Sequence, residues 1–196
     1  HQPHSCDETA RQFGRSVADI EHLLSLAREE LALRRAKRPR PHLDDKVICA
    51  WNGLMISAFA KGYQVTANQT YLTGAQRSAD FILSTLVDRE TGALARRYRQ
   101  GEAGLAAQLD DYAFLIQGLI DLYESSFMIS YLQSAIRLTE KQLEIFADQR
   151  SGGFFETAPH DATLLLRMKN DYDSAEPAAN SVAALNLLRL TPFGGS

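Results

Sequence analysis

The sequence predicts an all-α fold of stacked helical hairpins, and two observations lead to this prediction. The segment Asp88–Leu94 matches Asp148–Phe154 at an offset of 60 residues, and the same offset pairs Leu54 with Phe114. Apolar residues also recur at helical spacing in two segments of each repeat. A period of this length with two helical segments is typical of hairpins that bury their apolar faces against one another. The repeat unit is therefore one hairpin.

The first predicted helix covers residues 16 to 38. Its apolar stripe includes Ile20, and Ser16 is suited to its N-cap. Pro39 and Pro41 end the helix, because proline lacks an N–H donor and disfavours a helical conformation in the residue before it.

The next helices are predicted to alternate between a buried inner type and an outer type with one wet face. The helices predicted over residues 47 to 65 and 112 to 124 are apolar around most of their circumference, so each should be buried on several sides. The helices over residues 71 to 87 and 129 to 146 have a narrower apolar stripe. Each of these outer helices should keep one face in water.

The connections from outer to inner helices are long. They run from residue 88 to 110 and from residue 148 to 176, and loops of this length are usually functional. Each contains a glycine-marked turn followed by a strand-like stretch, at residues 94 to 98 and 154 to 157. We therefore expect short β-hairpins in these loops.

Three acidic clusters lie at the same end of the predicted hairpins, each beside the start of an apolar helical run. A repeated scaffold should gather these helix entrances at one concave surface, so we predict an acidic cleft ringed by the N-termini of the inner helices. Capping is the alternative role for each carboxylate, because an Asp at a helix start accepts hydrogen bonds from free N–H groups. The clusters are Leu43-Asp44-Asp45-Lys46, Leu109-Asp110-Asp111-Tyr112 and Asp171-Tyr172-Asp173-Ser174-Ala175-Glu176.

Composition argues against several classes of partner and cofactor. The net charge is −3, and no apolar stretch approaches the roughly 18 residues that a membrane span needs, so we predict neither a nucleic-acid nor a membrane partner. The basic residues between 34 and 40 end a helix, where the macrodipole favours cations. Cys6 and Cys49 lack CxxC or metal-ligand spacing. We therefore expect no disulfide, metal or cofactor, and a cytoplasmic location.

Five motifs carry a resemblance to a known family. They are Arg38-Pro39-Arg40-Pro41-His42-Leu43-Asp44-Asp45-Lys46, Ala50-Trp51-Asn52-Gly53-Leu54-Met55-Ile56, Leu109-Asp110-Asp111-Tyr112-Ala113-Phe114-Leu115, Gly152-Gly153-Phe154-Phe155 and Glu176-Pro177-Ala178-Ala179-Asn180-Ser181. Through these motifs the chain, from about residue 10 to 190, closely resembles the YyaL-type family, which includes the spermatogenesis-associated thioredoxin-like proteins.

The resemblance implies a partial (α/α)6 toroid, with about three of the six hairpins of a six-hairpin glycosidase-like barrel similar in shape to N-acylglucosamine 2-epimerases. Family members join this barrel to an N-terminal thioredoxin-like domain, which has no counterpart in the chain. We expect residues 1–196 to form a single partial barrel domain, irregular over 1–15 and 191–196, and we interpret the chain as a fragment. An open barrel edge should expose apolar surface and favour self-association.

Carboxylates in the predicted cleft are suited to general acid and base chemistry on a bound sugar. Two successive side chains at a helix start cannot both cap in the same way, so one member of each Asp pair should face the cavity. We predict Asp45, Asp111 and Glu176 as the catalytic groups. Pro177 suits the first turn of the helix after Glu176.

A second set of residues is predicted to bind the substrate. Aromatic faces stack on pyranose rings, and amides and carboxylates bond to sugar hydroxyls. The alternatives are core packing or loop anchoring for the aromatic residues and local backbone closure for the amides. The set consists of His42, Asp44, Trp51, Asn52, Asp110, Tyr112, Phe155, Asp171, Asp173 and Asn180.

Sugar epimerisation needs a base tuned near neutral pH, usually histidine. His42 and His160 are the histidines of the relevant connections, and an exposed loop histidine is the alternative for both. We therefore assign no residue to epimerase chemistry.

Two functions remain as hypotheses. The first is a carbohydrate-active-enzyme-like module, of glycoside hydrolase or sugar isomerase/epimerase type, whose acidic cleft binds a sugar or sugar derivative. The alternative is a non-catalytic protein-interaction module that accompanies a thioredoxin-like domain. Because half a ring cannot enclose a substrate, we expect the chain alone to be inactive.

Overall fold

The computed structural model describes residues 4–159 and 166–193. The chain divides into two compact units, one ending at Asp44 and the other beginning at Asp45. The structure is mostly helical with short strands, which confirms the predicted fold class. The elements in chain order are α1 (Cys6–Phe13), α2 (Val17–Ala36), β1 (Val47–Ile48), α3 (Cys49–Thr66), α4 (Gln69–Thr85), β2 (Ala95–Arg99), β3 (Glu102–Ala106), α5 (Leu109–Ser126), α6 (Ile129–Phe146), α7 (Ala179–Leu190) and a 3₁₀ turn (Thr191–Phe193).

The N-terminal unit contains α1 and α2. The predicted irregular start of the chain is wrong over α1, because Ser5 and Glu8 form a capping box, with Glu8 N donating to Ser5 Oγ at 3.2 Å and Ser5 N donating to Glu8 Oε2 at 2.9 Å. The helix predicted over residues 16 to 38 is present as α2. Ser16 is its N-cap and accepts a hydrogen bond from Asp19 N at 3.1 Å.

The second unit carries the repeat. Both bounds of α5 lie 60 residues after those of α3. Each helix ends at a residue in the left-handed conformation, Ala67 with φ 54° and Phe127 with φ 57°, whose N–H donates to the carbonyl of Tyr63 or Tyr123. The sequence offset therefore reproduces both the helices and their ends.

The inner helices α3, α5 and α7 form a row in which α5 is the middle member, while α4 packs on α3 and α6 packs on α5. Helices α3 and α5 meet at backbone distance, because a Cβ on Gly53 would lie 2.5 Å from the carbonyl carbon of Phe114 and one on Gly118 would lie 2.6 Å from the oxygen of Gly53. Helix α5 is almost wholly buried, as predicted. Helix α3 is less buried than predicted, because Trp51 and Met55 are exposed.

The first long connection, between α4 and α5, forms the expected β-hairpin. Strands β2 and β3 are antiparallel, and β1 adds to β2 with Val47 opposite Tyr98. The second connection, between α6 and α7, differs from the prediction over residues 154 to 157. Among its described residues only an isolated bridge forms, between Ala147 and Phe154.

No helix within the described ranges is both long enough and apolar enough to cross a membrane. On α7, Leu185 and Leu188 are exposed. Self-association through an open edge of the row of inner helices stays a prediction.

Candidate functional site

The first turn of α5 holds two adjacent carboxylates in different surroundings. Asp111 is fully buried, and its Oδ1 accepts a hydrogen bond from Ala50 N on α3 at 3.0 Å. Its Oδ2 accepts from the N-cap residue Gln108 at 3.0 Å and from Arg96 Nη1 at 2.8 Å. Asp111 therefore ties together α3, β2 and the start of α5.

Burial raises the pKa of Asp111 from 3.8 to about 6. The negative charge of Asp110 is a second cause of this increase, whereas the hydrogen bonds from Gln108 and Ala50 and the charge of Arg96 oppose it. Asp111 is thus a buried carboxylate whose charge is only partly compensated by its neighbours.

Asp110 is the member of the pair that reaches a cavity. Arg96 donates a hydrogen bond to each oxygen of this carboxylate, from Nη1 to Oδ1 at 3.0 Å and from Nη2 to Oδ2 at 3.3 Å. The prediction was that Asp111 is the member that faces the cavity, and the structure shows the reverse. Asp111 has no exposed surface with which to touch a substrate, whereas Asp110 lines the cavity.

Glu176 is held in place from α3. Its Oε1 accepts a hydrogen bond from the indole Nε1 of Trp51 at 2.6 Å, although the two residues are 125 positions apart. The Trp51 ring is more than half exposed, so it joins the carboxylate to an open aromatic face. The fold thus brings together two predicted residues that no local pattern connects.

Asp110 and Glu176 open on the same cavity, which has a volume of about 200 Å³ and lies between the starts of α5 and α7. Tyr172 and Glu156 also line it. The cavity therefore combines carboxylates with aromatic surface. Paired carboxylates are among the groups that general acid and base catalysis uses.

Several predicted residues serve the protein's own structure. Asp45 is exposed and pairs with Arg99 Nε at 2.6 Å. Tyr112 is buried, and its hydroxyl accepts a hydrogen bond from Leu94 N at 2.9 Å. Asn52 donates to the carbonyl of Ile48 four residues earlier at 2.8 Å. Tyr112 thus packs in the core and Asn52 closes the local backbone, which are the alternative roles stated for them in the sequence analysis.

The second long connection is also anchored by predicted residues. Asn180 accepts a hydrogen bond from Phe154 N and donates to Phe154 O, both at 2.8 Å. Asp173 accepts from Ala178 N at 2.8 Å, which caps the approach to α7. The ring of Phe155 lies under the guanidinium of Arg167, 4.1 Å from its carbon to the ring centroid. These side chains hold the loop that carries Tyr172 and Glu176.

The remaining predicted residues are not placed at the cavity. Asp171 is exposed and is not among the residues that line it. His42 and Asp44 are exposed in the N-terminal unit, where His42 borders a separate groove along α2. His160 lies outside the described residues.

Two important residues escaped the sequence analysis. Arg96 bridges Asp110 and Asp111, and Glu156 adds a third carboxylate to the cavity. Their positions differ by 60 residues, so they are equivalent in the two repeats. A comparison of the repeats at this position would have shown a cation in one connection and an anion in the other.

Metal binding has no visible basis in residues 4–159 and 166–193, because no group of three His, Cys, Asp or Glu side chains there is arranged to hold an ion. The carboxylates of Asp110, Asp111 and Glu176 accept hydrogen bonds from Arg96, from Trp51 and from backbone N–H groups.

Comparison with curated proteins gives a clear relative. Spermatogenesis-associated protein 20 of the mouse, Mus musculus, is 41% identical over 201 residues, which cover 98% of this chain and 25% of the mouse protein. This chain is a homologue of spermatogenesis-associated protein 20. The predicted family resemblance is therefore confirmed, and the chain spans about a quarter of the length of the curated relatives it matches. No family model matches the chain.

Solved structures share the fold. Cellobiose 2-epimerase from Spirochaeta thermophila superposes with a TM-score of 0.60 at 17% identity, covering 75% of this chain and 39% of that chain. A family 105 glycoside hydrolase from C. acetobutylicum also gives 0.60, at 13% identity, covering 96% of this chain and 55% of that chain. Sugar epimerases, an isomerase and hydrolases thus share this toroidal, six-hairpin glycosidase-like fold.

Proposed function

We propose that the chain carries part of the sugar-binding site of a carbohydrate-active enzyme, and that the cavity between α5 and α7 holds the sugar. The observation that carries the proposal is the convergence of Asp110 and Glu176 on one cavity beside Tyr172. The fold, which solved sugar epimerases and glycoside hydrolases share, supports the same class of ligand.

Each group at the cavity has a chemical role in this proposal. Glu176 and Asp110 act as the acid and base pair, in a hydrolysis or in an isomerisation of the sugar. Tyr172 supplies an aromatic face for the ring, and Trp51 fixes the orientation of Glu176 through its indole N–H. Asp111 and Arg96 are positioning residues, because they hold the start of α5 and the Asp110 carboxylate.

Sugar binding by the 196-residue chain tests the proposal without requiring turnover. A glycan array followed by titration calorimetry should identify a ligand, and Glu176→Gln and Asp110→Asn should each weaken its binding about tenfold, which corresponds to the loss of one charge-assisted hydrogen bond. Circular dichroism should show that both variants keep the wild-type helix content.

Glu102→Gln is the matched control, because Glu102 is an exposed carboxylate on β3 away from the cavity. Its affinity should equal that of the wild type. Sugar binding that survives both cavity substitutions, or the absence of any sugar ligand, would contradict the proposal. Only the absence of any sugar ligand would also favour the protein-interaction module.

A further inference from the structure

The cavity between α5 and α7 has an unusual charge balance. Three carboxylates line it, from Asp110, Glu156 and Glu176, and no Lys, Arg or His is among its lining residues within the described ranges. A pocket for a uronate or a sugar phosphate needs a cation or several N–H donors facing the anion. The charged residues that line this cavity are carboxylates, which repel such anions.

The cation that contacts a carboxylate of this cavity, Arg96, does not cancel the surplus. Arg96 contacts Asp110, but its Nη1 is shared with the buried Asp111, so one positive charge serves two carboxylates. Glu176 receives its hydrogen bond from Trp51, a neutral donor. The side chain of Glu156 is half-buried and makes no hydrogen bond to the part of the chain that the structure describes.

The size of the cavity limits the ligand further. A volume of about 200 Å³ lies below the range of roughly 300 to 1,000 Å³ that is typical of pockets for drug-sized molecules. One sugar ring is therefore a suitable occupant, with Tyr172 offering apolar contact to one of its faces.

We propose that this cavity selects a sugar ring with a protonated amine, a hexosamine, over its neutral counterpart, and that it excludes uronates. The inference rests on the proposed function, because it names the charge class of the sugar in the same site. The ammonium group donates to Glu156 and Glu176, whose carboxylates accept hydrogen bonds and carry the complementary charge. A carboxylate on the sugar meets like charges in a partly desolvated site, where repulsion is screened less than in water.

The experiment compares four ligands on the full chain by titration calorimetry at low salt: glucosamine, N-acetylglucosamine, glucose and glucuronate. Glucosamine should bind about tenfold more tightly than glucose or N-acetylglucosamine, because acetylation removes the charge. Glucuronate should show no binding. Raising the salt concentration to about 0.5 M should reduce the preference for glucosamine, because ions screen the attraction.

Glu156→Gln is the diagnostic variant, because it removes one charge from the cavity and leaves the proposed acid and base pair intact. It should lower the ratio of glucosamine affinity to glucose affinity several-fold, whereas the exposed control Glu102→Gln should leave this ratio unchanged.

Two results separate this inference from the proposed function. Equal binding of glucose, glucosamine and glucuronate, or a preference that Glu156→Gln leaves intact, would overturn the charge selectivity while sugar binding itself stands. No binding of any of the four sugars, together with an empty glycan array, would overturn both.

Discussion

Two charged clusters that contact the inner helices differ in how their charges are compensated. The acidic cluster, defined as Arg96, Asp110, Asp111, Glu156 and Glu176, lies at the starts of α5 and α7 and sets one cation against four carboxylates. The balanced cluster, defined as Lys61, Asp121, Glu124 and Arg189, joins later turns of α3, α5 and α7 and sets two cations against two carboxylates.

In the balanced cluster, the buried carboxylate of Asp121 has partners at both of its oxygens. Asp121 has 2% of its side chain exposed, and its Oδ1 lies 3.2 Å from Lys61 Nζ and 2.7 Å from Arg189 Nη2. Ser57 donates a hydrogen bond to the other oxygen. Because each charge has a partner within the chain, this cluster stabilises the helix row and needs no ligand. The acidic cluster leaves negative charge directed at a cavity, which is the condition for binding a cation or a hydroxyl-rich ligand.

The largest expected effect is on the balanced cluster. Asp121→Ala should lower the free energy of unfolding by about 3 to 5 kcal/mol, because it breaks a buried ion-pair network and leaves Arg189 without its closest partner. Chemical denaturation followed by circular dichroism measures the loss. Glu124→Ala is the control in the same cluster and should cost less than about 1 kcal/mol, because Glu124 is exposed. Equal losses for the two variants would show that burial does not set the strength of this network.

The free energy of unfolding should depend on pH, because the charge of Asp111 in the acidic cluster is only partly compensated. The folded state raises the pKa of Asp111 from 3.8 to about 6, so it retains a proton that the unfolded state releases. The stabilising contribution of this proton is full below about pH 4 and is lost as the pH rises through 6. The free energy of unfolding of the wild type relative to Asp111→Asn should therefore fall by about 2 kcal/mol between pH 4 and pH 7.

Denaturation of both proteins at several pH values measures this difference, and Asp45→Asn is the control because Asp45 is exposed. A carbon NMR titration of the Asp111 carboxyl gives its pKa directly. A pKa at or below 4 would contradict the prediction, and it would mean that Arg96 compensates the buried charge fully.

The smallest expected effect concerns the exposed pair between Asp45 and Arg99. Their side chains are 44% and 31% exposed, so solvent screens the attraction. A double-mutant cycle with Asp45→Ala and Arg99→Ala should give a coupling energy below about 1 kcal/mol, falling towards zero in 1 M salt. A larger coupling energy that does not fall in 1 M salt would mean that this pair behaves like a buried ion pair.

The contrast between two neighbouring residues shows how far sequence reasoning reached at the site. The sequence predicted that Asp111 faces the cavity, whereas in the structure Asp111 is buried and Asp110 lines the cavity. Successive helical residues point about 100° apart, and which one faces the interior depends on where α3 crosses α5. That crossing is set by Gly53 and Gly118, which are far apart in the sequence and permit backbone contact.

The two long connections make the same point. Both were predicted to contain hairpins, because their glycine-marked turns match at an offset of 60 residues. The first forms β2 and β3, whereas the described part of the second is held by side chains such as Asn180. Whether a connection forms strands or is held by side chains depends on partner residues such as Asn180 on α7, which no local pattern reveals.

The sequence by itself determined the hairpin repeat, the inner and outer character of the helices and the family. These features follow from apolar spacing, capping residues and motifs that are local in the chain, and the bounds predicted for α6 agree with the structure. Only the tertiary structure decided which carboxylates share a cavity, because the contact between Trp51 and Glu176 spans 125 residues and the bridge from Arg96 requires the hairpin to fold over α5. Local patterns fix the elements, whereas the packing between elements fixes the direction of each charged side chain.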